Sequence, residues 1–135
     1  MKVFVDTSAL LALAQPRDRF HAAATRCLRD LKDARFVVSD YVLDETLTRW
    51  ITRGQATRGL AFVDALLRSP RYELVFVDRI LFDRARQKAA KLAEHRLSFT
   101  DCTSAVFVEA LRLDAIFSFD AGFVRVGLSV LPASH

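Results

Sequence analysis

The sequence predicts a three-layer α/β/α sandwich with a central, mostly parallel sheet. Short apolar runs rich in valine, isoleucine and phenylalanine alternate along the chain with longer segments whose apolar residues recur every three or four positions. The short runs are apolar throughout, as in strands that helices cover on both faces. A length of 135 residues is typical of one domain that buries its own core, so residues 1–135 are predicted to form a single domain.

The first predicted elements are a strand and two helices. Residues 3–5 form an apolar run that ends at Asp6, as expected of a buried strand. A helix is predicted over residues 7–14, and Pro16 terminates it because proline cannot continue the helical hydrogen bonds. Residues 18–32 place their apolar side chains at spacings of three and four, which predicts an amphipathic helix.

The middle of the chain continues this alternation. Residues 36–38 are predicted as the second strand because β-branched and aromatic residues favour strands. Ser39 and Asp40 then provide a helix-start signal. The helix that follows is predicted to stop near Gly54, and a further amphipathic helix is predicted to end before Pro70.

The last part of the chain contains two more helices and three more strands. Asp78 is a suitable N-cap for a helix that runs to about His95, and Ser98 is predicted to open a helix that continues through Leu111. Three further apolar runs predict strands, at residues 74–77, 115–118 and 128–131.

The composition predicts a soluble globular protein located in the cytoplasm. Hydrophobic residues make up 52% of the chain and charged residues 27%. No apolar run approaches the roughly 18 residues of a membrane span, and Asp6 follows the start too closely for a signal peptide. The sixteen arginines and four lysines contribute to a net charge of +4. Because the arginine fork suits phosphate oxygens, this charge is compatible with a nucleic-acid partner without requiring one.

Four acids are predicted to lie at the edge of the sheet where ligands bind. Asp6 follows the first strand and Asp120 lies just past the fourth. Asp101 is in the first turn of the helix that Ser98 opens, and Glu45 is in the first turns of the helix after the second strand. Because ligands bind beyond the carboxyl ends of parallel strands, these four carboxylates are expected to meet there.

Each acid also has a purely structural explanation. Acids near helix N-termini are favoured by capping and by the helix dipole. Ser98 and Asp101 resemble a capping box with aspartate in place of the usual glutamate or glutamine. Glu45 could be an ordinary solvated helix residue, and Asp44 could take any role assigned to it. The combination of four acids is more informative than any one of them, because their mutual repulsion calls for a cation.

The predicted cation is Mg²⁺ or Mn²⁺, because sites with only oxygen ligands select hard ions. Such an ion can polarise a phosphate and activate water, with Asp6 as the central ligand and Asp101 and Asp120 completing the site. Glu45 could bind the metal or orient the attacking water. Hydroxyl groups that could hold a water or a phosphate oxygen are those of Thr7, Ser98 and Ser118.

Zinc and redox chemistry are not expected. His21, His95 and His135 are scattered along the chain and share no ligand spacing. Cys27 and Cys102 do not form a C-x-x-C pair, so both are predicted to be buried small hydrophobic side chains.

The segments around the four acids resemble the motifs of PIN-domain nucleases, and in particular of VapC-type toxins of toxin–antitoxin pairs. These segments are residues 3–10 (VFVDTSAL), 39–47 (SDYVLDETL), 97–102 (LSFTDC) and 116–123 (IFSFDAGF). The resemblance spans almost the whole chain, and the four acids follow the order of the family. The family's second functional acid is a glutamate, which favours Glu45 over Asp44. Ser118 stands where the family often has threonine.

The resemblance implies a PIN fold and Mg²⁺- or Mn²⁺-dependent cleavage of single-stranded RNA, often by a homodimer. It also implies a VapB-type antitoxin that wraps the toxin and blocks its site. Two alternatives stay open. PIN nucleases also process RNA without an antitoxin, and a non-catalytic nucleic-acid-binding or scaffold module belongs to a different functional class.

Two other α/β enzyme or signalling classes lack a required residue. A haloacid-dehalogenase type of phosphatase needs a second acid two residues after its nucleophilic aspartate, where this chain has Ser8. A receiver domain needs a lysine late in the chain, and none follows Lys91. A binding module without turnover would gain little from four acids facing phosphate, because bare carboxylates repel it.

Overall fold

The computed structural model describes residues 1–133, so Ser134 and His135, which the predicted domain includes, lie outside the described residues. Within residues 1–133, five parallel strands form one sheet, which confirms the predicted fold class and makes the sheet parallel throughout. The strands are β1 (Lys2–Val5), β2 (Arg35–Ser39), β3 (Tyr72–Val75), β4 (Ala115–Phe117) and β5 (Val130–Leu131).

Helices connect the strands and cover the sheet. Val3, Phe4 and Val5 are all fully buried, although consecutive side chains of a strand point to opposite faces, so both faces are covered. The helices pack in neighbouring pairs, α1 with α2, α3 with α4 and α5 with α6. The described α-helices are α1 (Thr7–Ala14), α2 (His21–Asp30), α3 (Asp40–Thr52), α4 (Ala56–Arg68), α5 (Arg79–Lys91), α6 (Phe99–Ala110) and α7 (Ala121–Arg125).

The strand order β3-β2-β1-β4-β5 creates a point at which the chain reverses direction across the sheet. The chain moves outward from β1 to β3 and then returns to the other side of β1 for β4 and β5. Phe4 pairs with Val37 of β2 on one side and with Ile116 of β4 on the other. The crevice at such a reversal is the usual ligand site of an open parallel sheet. Here it lies beside Asp6 and Asp120, which follow β1 and β4.

The third strand lies two residues earlier than the predicted strand 74–77. Tyr72 pairs with Phe36 near the start of β2, which fixes the register of β3. The N–H of Val77 donates instead to Oδ1 of Asp40 at 3.0 Å, so the chain has already left the sheet. The apolar run identified the strand, but its ends depended on this pairing.

The start of α2 and the presence of α7 also differ from the prediction. Helix α2 begins at His21 instead of residue 18, because Oδ1 of Asp18 accepts the N–H of Phe20 at 2.8 Å in a turn before the helix. Helix α7 was not predicted because five residues are too few to show a helical period. Its N-cap is Asp120.

Other boundaries shift by a few residues. The helix predicted to reach His95 ends as α5, and a separate 3-10 helix covers Ala93–His95. The predicted strand 128–131 shortens to β5. The three predicted N-caps are confirmed, because Ser39, Asp78 and Ser98 each accept a backbone N–H at the start of a helix.

Both cysteines are buried and free, as predicted. Burial raises the pKa of the Cys27 thiol to about 11, which keeps it protonated and unreactive at neutral pH. Among the helices of residues 1–133, none is both long and apolar enough to cross a membrane.

Candidate active site

A cavity of about 270 Å³ opens at the carboxyl edge of the sheet and contains all four predicted acids. The acids come from four separate segments, namely the ends of β1 and β4 and the first turns of α3 and α6. Two of the predicted hydroxyl residues line the cavity with them, and three further residues were not predicted. The lining residues are Asp6, Thr7, Ser8, Glu45, Arg49, Arg96, Ser98, Asp101 and Asp120.

Asp6 lies at the centre of this arrangement and is only 3% exposed. It directly follows β1, and its N–H donates to the carbonyl of Phe117 in β4 at 3.0 Å, which fixes it at the reversal of strand order. Its Oδ2 atom accepts the hydroxyls of Ser8 at 2.7 Å and Ser118 at 2.8 Å. Burial raises the pKa of the Asp6 carboxyl, against these two hydrogen bonds, and the charge of Asp120 raises it further.

Ser8 and Ser118 connect the Asp6 carboxylate to the chain that follows β4. Each hydroxyl has a single hydrogen, and each donates it to Asp6. The two oxygens lie 3.2 Å apart, so one hydroxyl could also donate to the other in place of Asp6. Ser8 Oγ accepts the N–H of Phe119 at 2.9 Å, and Ser118 Oγ accepts the N–H of Asp120 at 3.0 Å. The serine pair thus fixes Asp6 and Asp120 relative to each other.

Ser118 occupies a different place from the one predicted for it. It is fully buried beneath Asp6, so its hydroxyl supports the carboxylate and does not face the cavity. Ser8 has the complementary role and was missed at the sequence level. The Asp6-Thr7-Ser8 order contains a partial signal, because an aspartate side chain often accepts the backbone N–H two residues on, as Asp6 does from Ser8 at 3.4 Å.

Asp101 forms the predicted capping box and also lines the cavity. Its Oδ2 accepts the N–H of Ser98 at 3.1 Å, while Ser98 Oγ accepts the N–H of Asp101 at 3.0 Å. The structural and functional explanations of this acid are therefore compatible. Burial, together with the charges of Asp6 and Asp120, raises the pKa of the Asp101 carboxyl to about 6.

Asp120 reaches the cavity from the N-cap of α7. Its Oδ1 accepts the N–H of Gly122 at 2.8 Å. Helices α1, α3 and α6 also begin at this edge, so their positive ends face the acids and offset part of the repulsion among them. Burial is the main cause of the raised pKa values of Asp6 and Asp101, and repulsion from the neighbouring carboxylates adds to it.

The structure places Glu45 and Asp44 in different surroundings. Glu45 is half-buried and lines the cavity, whereas Asp44 is exposed and points away from it. Arg49 follows Glu45 by four residues and therefore shares its face of α3. This spacing could have indicated Arg49 from the sequence. Arg96 could not have been found this way, because it reaches the cavity from the turn between the 3-10 helix and α6.

The carboxylates of the cavity form an open donor set for a divalent cation. Within residues 1–133, no group of three or more His, Cys, Asp or Glu side chains is arranged to hold a metal ion by itself, so the cavity is not a closed cage. Mg²⁺ does not require one, since it commonly binds one or two carboxylates and completes its shell with waters and substrate phosphates. The Oδ1 atoms of Asp6 and Asp101 accept no hydrogen bond from the described residues. The residues therefore fit a hard cation in an open site.

The fold and the cavity together define an α/β protein with a carboxylate centre of the kind that serves metal-assisted phosphate chemistry. Comparison with known proteins narrows this class. The PIN domain family model matches residues 3–128. The chain belongs to the PIN domain family.

Among known proteins, Ribonuclease VapC26 of Mycobacterium tuberculosis is 29% identical over 118 residues, covering 87% of this chain and 86% of the relative. The crystal structure of Mycobacterium tuberculosis VapC20, described as a sarcin-ricin loop cleaving toxin, matches with a TM-score of 0.84 and 28% identity, covering 93% of this chain and 95% of that one. The fold also matches VapBC2 of Rickettsia felis bound to a promoter DNA fragment, with a TM-score of 0.74 at 16% identity, covering 96% and 97% of the two chains.

Proposed function

We propose that this protein is a VapC-type endoribonuclease that hydrolyses phosphodiester bonds of single-stranded RNA with the help of Mg²⁺ or Mn²⁺. Membership of the PIN family and the likeness to a named ribonuclease and to an RNA-cleaving toxin support this activity. One observation carries the proposal: the buried carboxylate of Asp6 shares a cavity with three other acids. Such an arrangement destabilises the fold unless a cation enters it.

In this proposal Asp6, Asp101 and Asp120 contribute ligands to the cation, waters and substrate phosphates complete its shell, and Glu45 either joins them or orients the attacking water. When bound, the metal polarises the scissile phosphate and lowers the pKa of water. Ser8 and Ser118 keep the Asp6 carboxylate in one orientation through their hydrogen bonds. Thr7 and Ser98 also line the cavity, where the Thr7 hydroxyl donates to the carbonyl of Val42 at 3.5 Å and the Ser98 hydroxyl accepts the N–H of Asp101.

A VapB-type antitoxin and a second copy of this chain are the proposed protein partners. The similar structures include complexes named VapBC and a toxin–antitoxin complex, which supports pairing with an antitoxin. An enzyme that acts on cellular RNA and is restrained by such a partner would work in the cytoplasm.

The test is cleavage of a labelled mixed-sequence single-stranded RNA with Mg²⁺, with Mn²⁺ and with EDTA. The wild type should cut only with a metal. Asp6→Asn should lower the cleavage rate at least about a hundredfold, because a metal-assisted step is stabilised by several kcal/mol. Its fold should persist, because the substitution keeps the side-chain volume and an oxygen for the two serine hydroxyls.

Asp44→Asn is the matched control, because it makes the same chemical change on an exposed side chain outside the cavity. It should cleave like the wild type. Full activity in Asp6→Asn would contradict the site assignment. A folded wild type, free of copurified partner, that cuts no RNA with either metal would instead favour the non-catalytic binding module.

A further inference from the structure

Two arginines line the acid cavity, Arg49 from α3 and Arg96 from the turn before α6. Although four carboxylates share the cavity with them, neither guanidinium forms an ion pair or side-chain hydrogen bond within residues 1–133. The ion pairs of the described residues are made elsewhere, by Arg79, Arg86 and Lys88. Both arginines are exposed, so their charges are available to a molecule that enters the cavity.

The backbone holds both arginines in position. Arg49 is followed directly by Trp50, whose burial fixes the rotation of α3 about its axis. Arg96 has a left-handed φ of 54°, which non-glycine residues adopt only when their surroundings require it. The turn around Arg96 is tied down on both sides, since the carbonyl of His95 accepts Nη2 of Arg125 at 3.4 Å and the N–H of Ser98 donates to Asp101.

The charge balance of the cavity points to phosphate. Carboxylates alone repel an RNA backbone, so the substrate needs positive groups at the same opening. The planar fork of arginine binds phosphate oxygens in pairs, and such charge-assisted hydrogen bonds are among the strongest available to a side chain. Arg49 and Arg96 meet this need from two different elements of the cavity wall.

We propose that Arg49 and Arg96 are the substrate-binding pair of this site, each holding a backbone phosphate of single-stranded RNA beside the carboxylates. This inference rests on the proposed ribonuclease function and adds the groups that position the substrate. The opposing explanation is that the arginines act only on the acids, as counterions that stabilise the carboxylate form.

The test compares Arg49→Ala and Arg96→Gly with a matched control, Arg68→Ala. Glycine is chosen at position 96 because it adopts the left-handed conformation without strain, so the turn can keep its shape. Arg68 is also exposed, but it ends α4 and so lies at the amino edge of the sheet, away from the cavity. All three substitutions remove one positive charge.

Binding of a labelled single-stranded RNA is measured in EDTA at several salt concentrations, where metal-dependent cleavage does not occur. Arg49→Ala and Arg96→Gly should each weaken binding about tenfold, and each should reduce the slope of log K against log salt by about 0.7. Arg68→Ala should change neither value by a comparable amount. With Mg²⁺ present, the two cavity variants should raise KM more than they lower kcat.

Arg49→Lys sharpens the test because it keeps the charge and loses the fork, so it should recover the salt slope but only part of the affinity. If the wild type cleaves RNA and the cavity variants bind RNA as well as Arg68→Ala does, the proposed phosphate-binding role of the two arginines would be wrong. The proposed nuclease function would be unaffected. Lower kcat with unchanged RNA binding would also overturn it, in favour of the counterion explanation. If the wild type does not cleave, the proposed function fails, and the binding comparison alone decides whether these arginines contact RNA.

Discussion

The two edges of the sheet use the same kinds of side chain in opposite ways. At the amino edge, the Arg71 guanidinium is hydrogen-bonded to backbone carbonyls. At the carboxyl edge, acids crowd one cavity and two arginines remain without partners among the described residues. The difference indicates which edge stabilises the fold and which edge is kept for a ligand.

Arg71 shows the structural use of an arginine at the amino edge. It precedes β3, and its guanidinium donates to the carbonyls of Leu31 and Ala34 at the end of the α2–β2 connection. The same group lies 4.8 Å from the ring centre of Phe36, in a cation–π contact. Nε and Nη2 of this side chain thus both have partners within the protein.

Asp6 shows the opposite situation at the carboxyl edge. Burial raises its pKa, so the fold would be more stable without the charge. The serine hydroxyls stabilise only one oxygen of the carboxylate. Removal of a polar group should therefore destabilise the protein at the amino edge and stabilise it, or leave its stability unchanged, at the carboxyl edge.

The largest stability effect is expected for Arg71→Ala. The substitution leaves the carbonyls of Leu31 and Ala34 without their donor and removes the contact with Phe36, so the free energy of unfolding should fall by about 2 kcal/mol. Urea unfolding followed by circular dichroism measures this change. RNA cleavage per folded molecule should be unchanged, because the substitution lies at the edge away from the cavity.

Arg35→Ala is the control at the same edge. Arg35 begins β2 and is exposed, and its side chain makes no hydrogen bond or ion pair within residues 1–133. Its replacement should change the free energy of unfolding by less than about 0.5 kcal/mol. Equal losses in the Arg71 and Arg35 variants would show that general charge, and not the specific contacts of Arg71, stabilises this edge.

The sequence predicted the two edges unequally. The acids of the carboxyl edge were predictable because they follow apolar runs or helix-start signals, and parallel strands bring such positions together. Arg71 was not predicted to have any role, since its partners are backbone carbonyls more than thirty residues away in the chain. Contacts of this kind leave no periodic pattern in the sequence.

The features of the site that were missed, or predicted in a different place, have the same origin. Ser118 and Arg96 take their positions from long-range packing, namely the pairing of β1 with β4 and the turn that leads into α6. Helix α7 is too short to be periodic, and the ends of β3 depend on its register with β2. Local patterns thus predicted the elements and their order. The exact ends of the elements, and contacts made behind the acids such as that of Ser118, depend on long-range packing and could not be predicted from local patterns.

A smaller effect, of opposite sign, is expected for Asp101→Asn. The pKa of Asp101 is about 6 in the folded protein, against roughly 4 in an unfolded chain. Below pH 4 the Asp101 carboxyl is neutral in the folded protein and mostly neutral in the unfolded chain, so it does not oppose folding. As pH rises from 4 to 6 the unfolded chain loses this proton more readily, so the folded protein becomes progressively less stable. Without divalent cations, Asp101→Asn should therefore be more stable than the wild type at pH 7.5, because it removes a charge that burial and the neighbouring acids disfavour. The gain should be about 1–2 kcal/mol, since solvent reaches the side chain and screens part of the effect.

Thermal unfolding of both proteins between pH 4 and 7.5, with and without Mg²⁺, measures this difference. The advantage of the variant should disappear near pH 4, where both side chains are neutral. Asparagine can still accept the N–H of Ser98, so the capping box should survive. Mg²⁺ should stabilise the wild type more than the variant. A variant that is less stable than the wild type at pH 7.5 would show instead that the Asp101 carboxylate stabilises the fold.

The smallest effect is expected for Gly122→Ala, which probes the contact between the turn that carries Arg96 and the N-terminus of α7. A Cβ atom at position 122 would lie 2.6 Å from Cδ2 of Leu97 and 3.1 Å from Oδ1 of Asp120. Since the Leu97 side chain can turn aside and alanine favours a helix, the net loss should be only about 1 kcal/mol. The cavity should distort enough to lower kcat/KM by less than about tenfold.

The double variant Gly122→Ala with Leu97→Ala separates this clash from other causes. Shortening Leu97 removes the atom that the new methyl group would meet, so the combined loss should be smaller than the sum of the single losses by about 0.5 kcal/mol or more. Cleavage should recover in parallel if the turn returns to its position beside Asp120. Additive losses would mean that Leu97 does not transmit the effect. The position of Asp120 in the cavity would then depend on its hydrogen bond with the N–H of residue 122, and close packing against Leu97 would not be required.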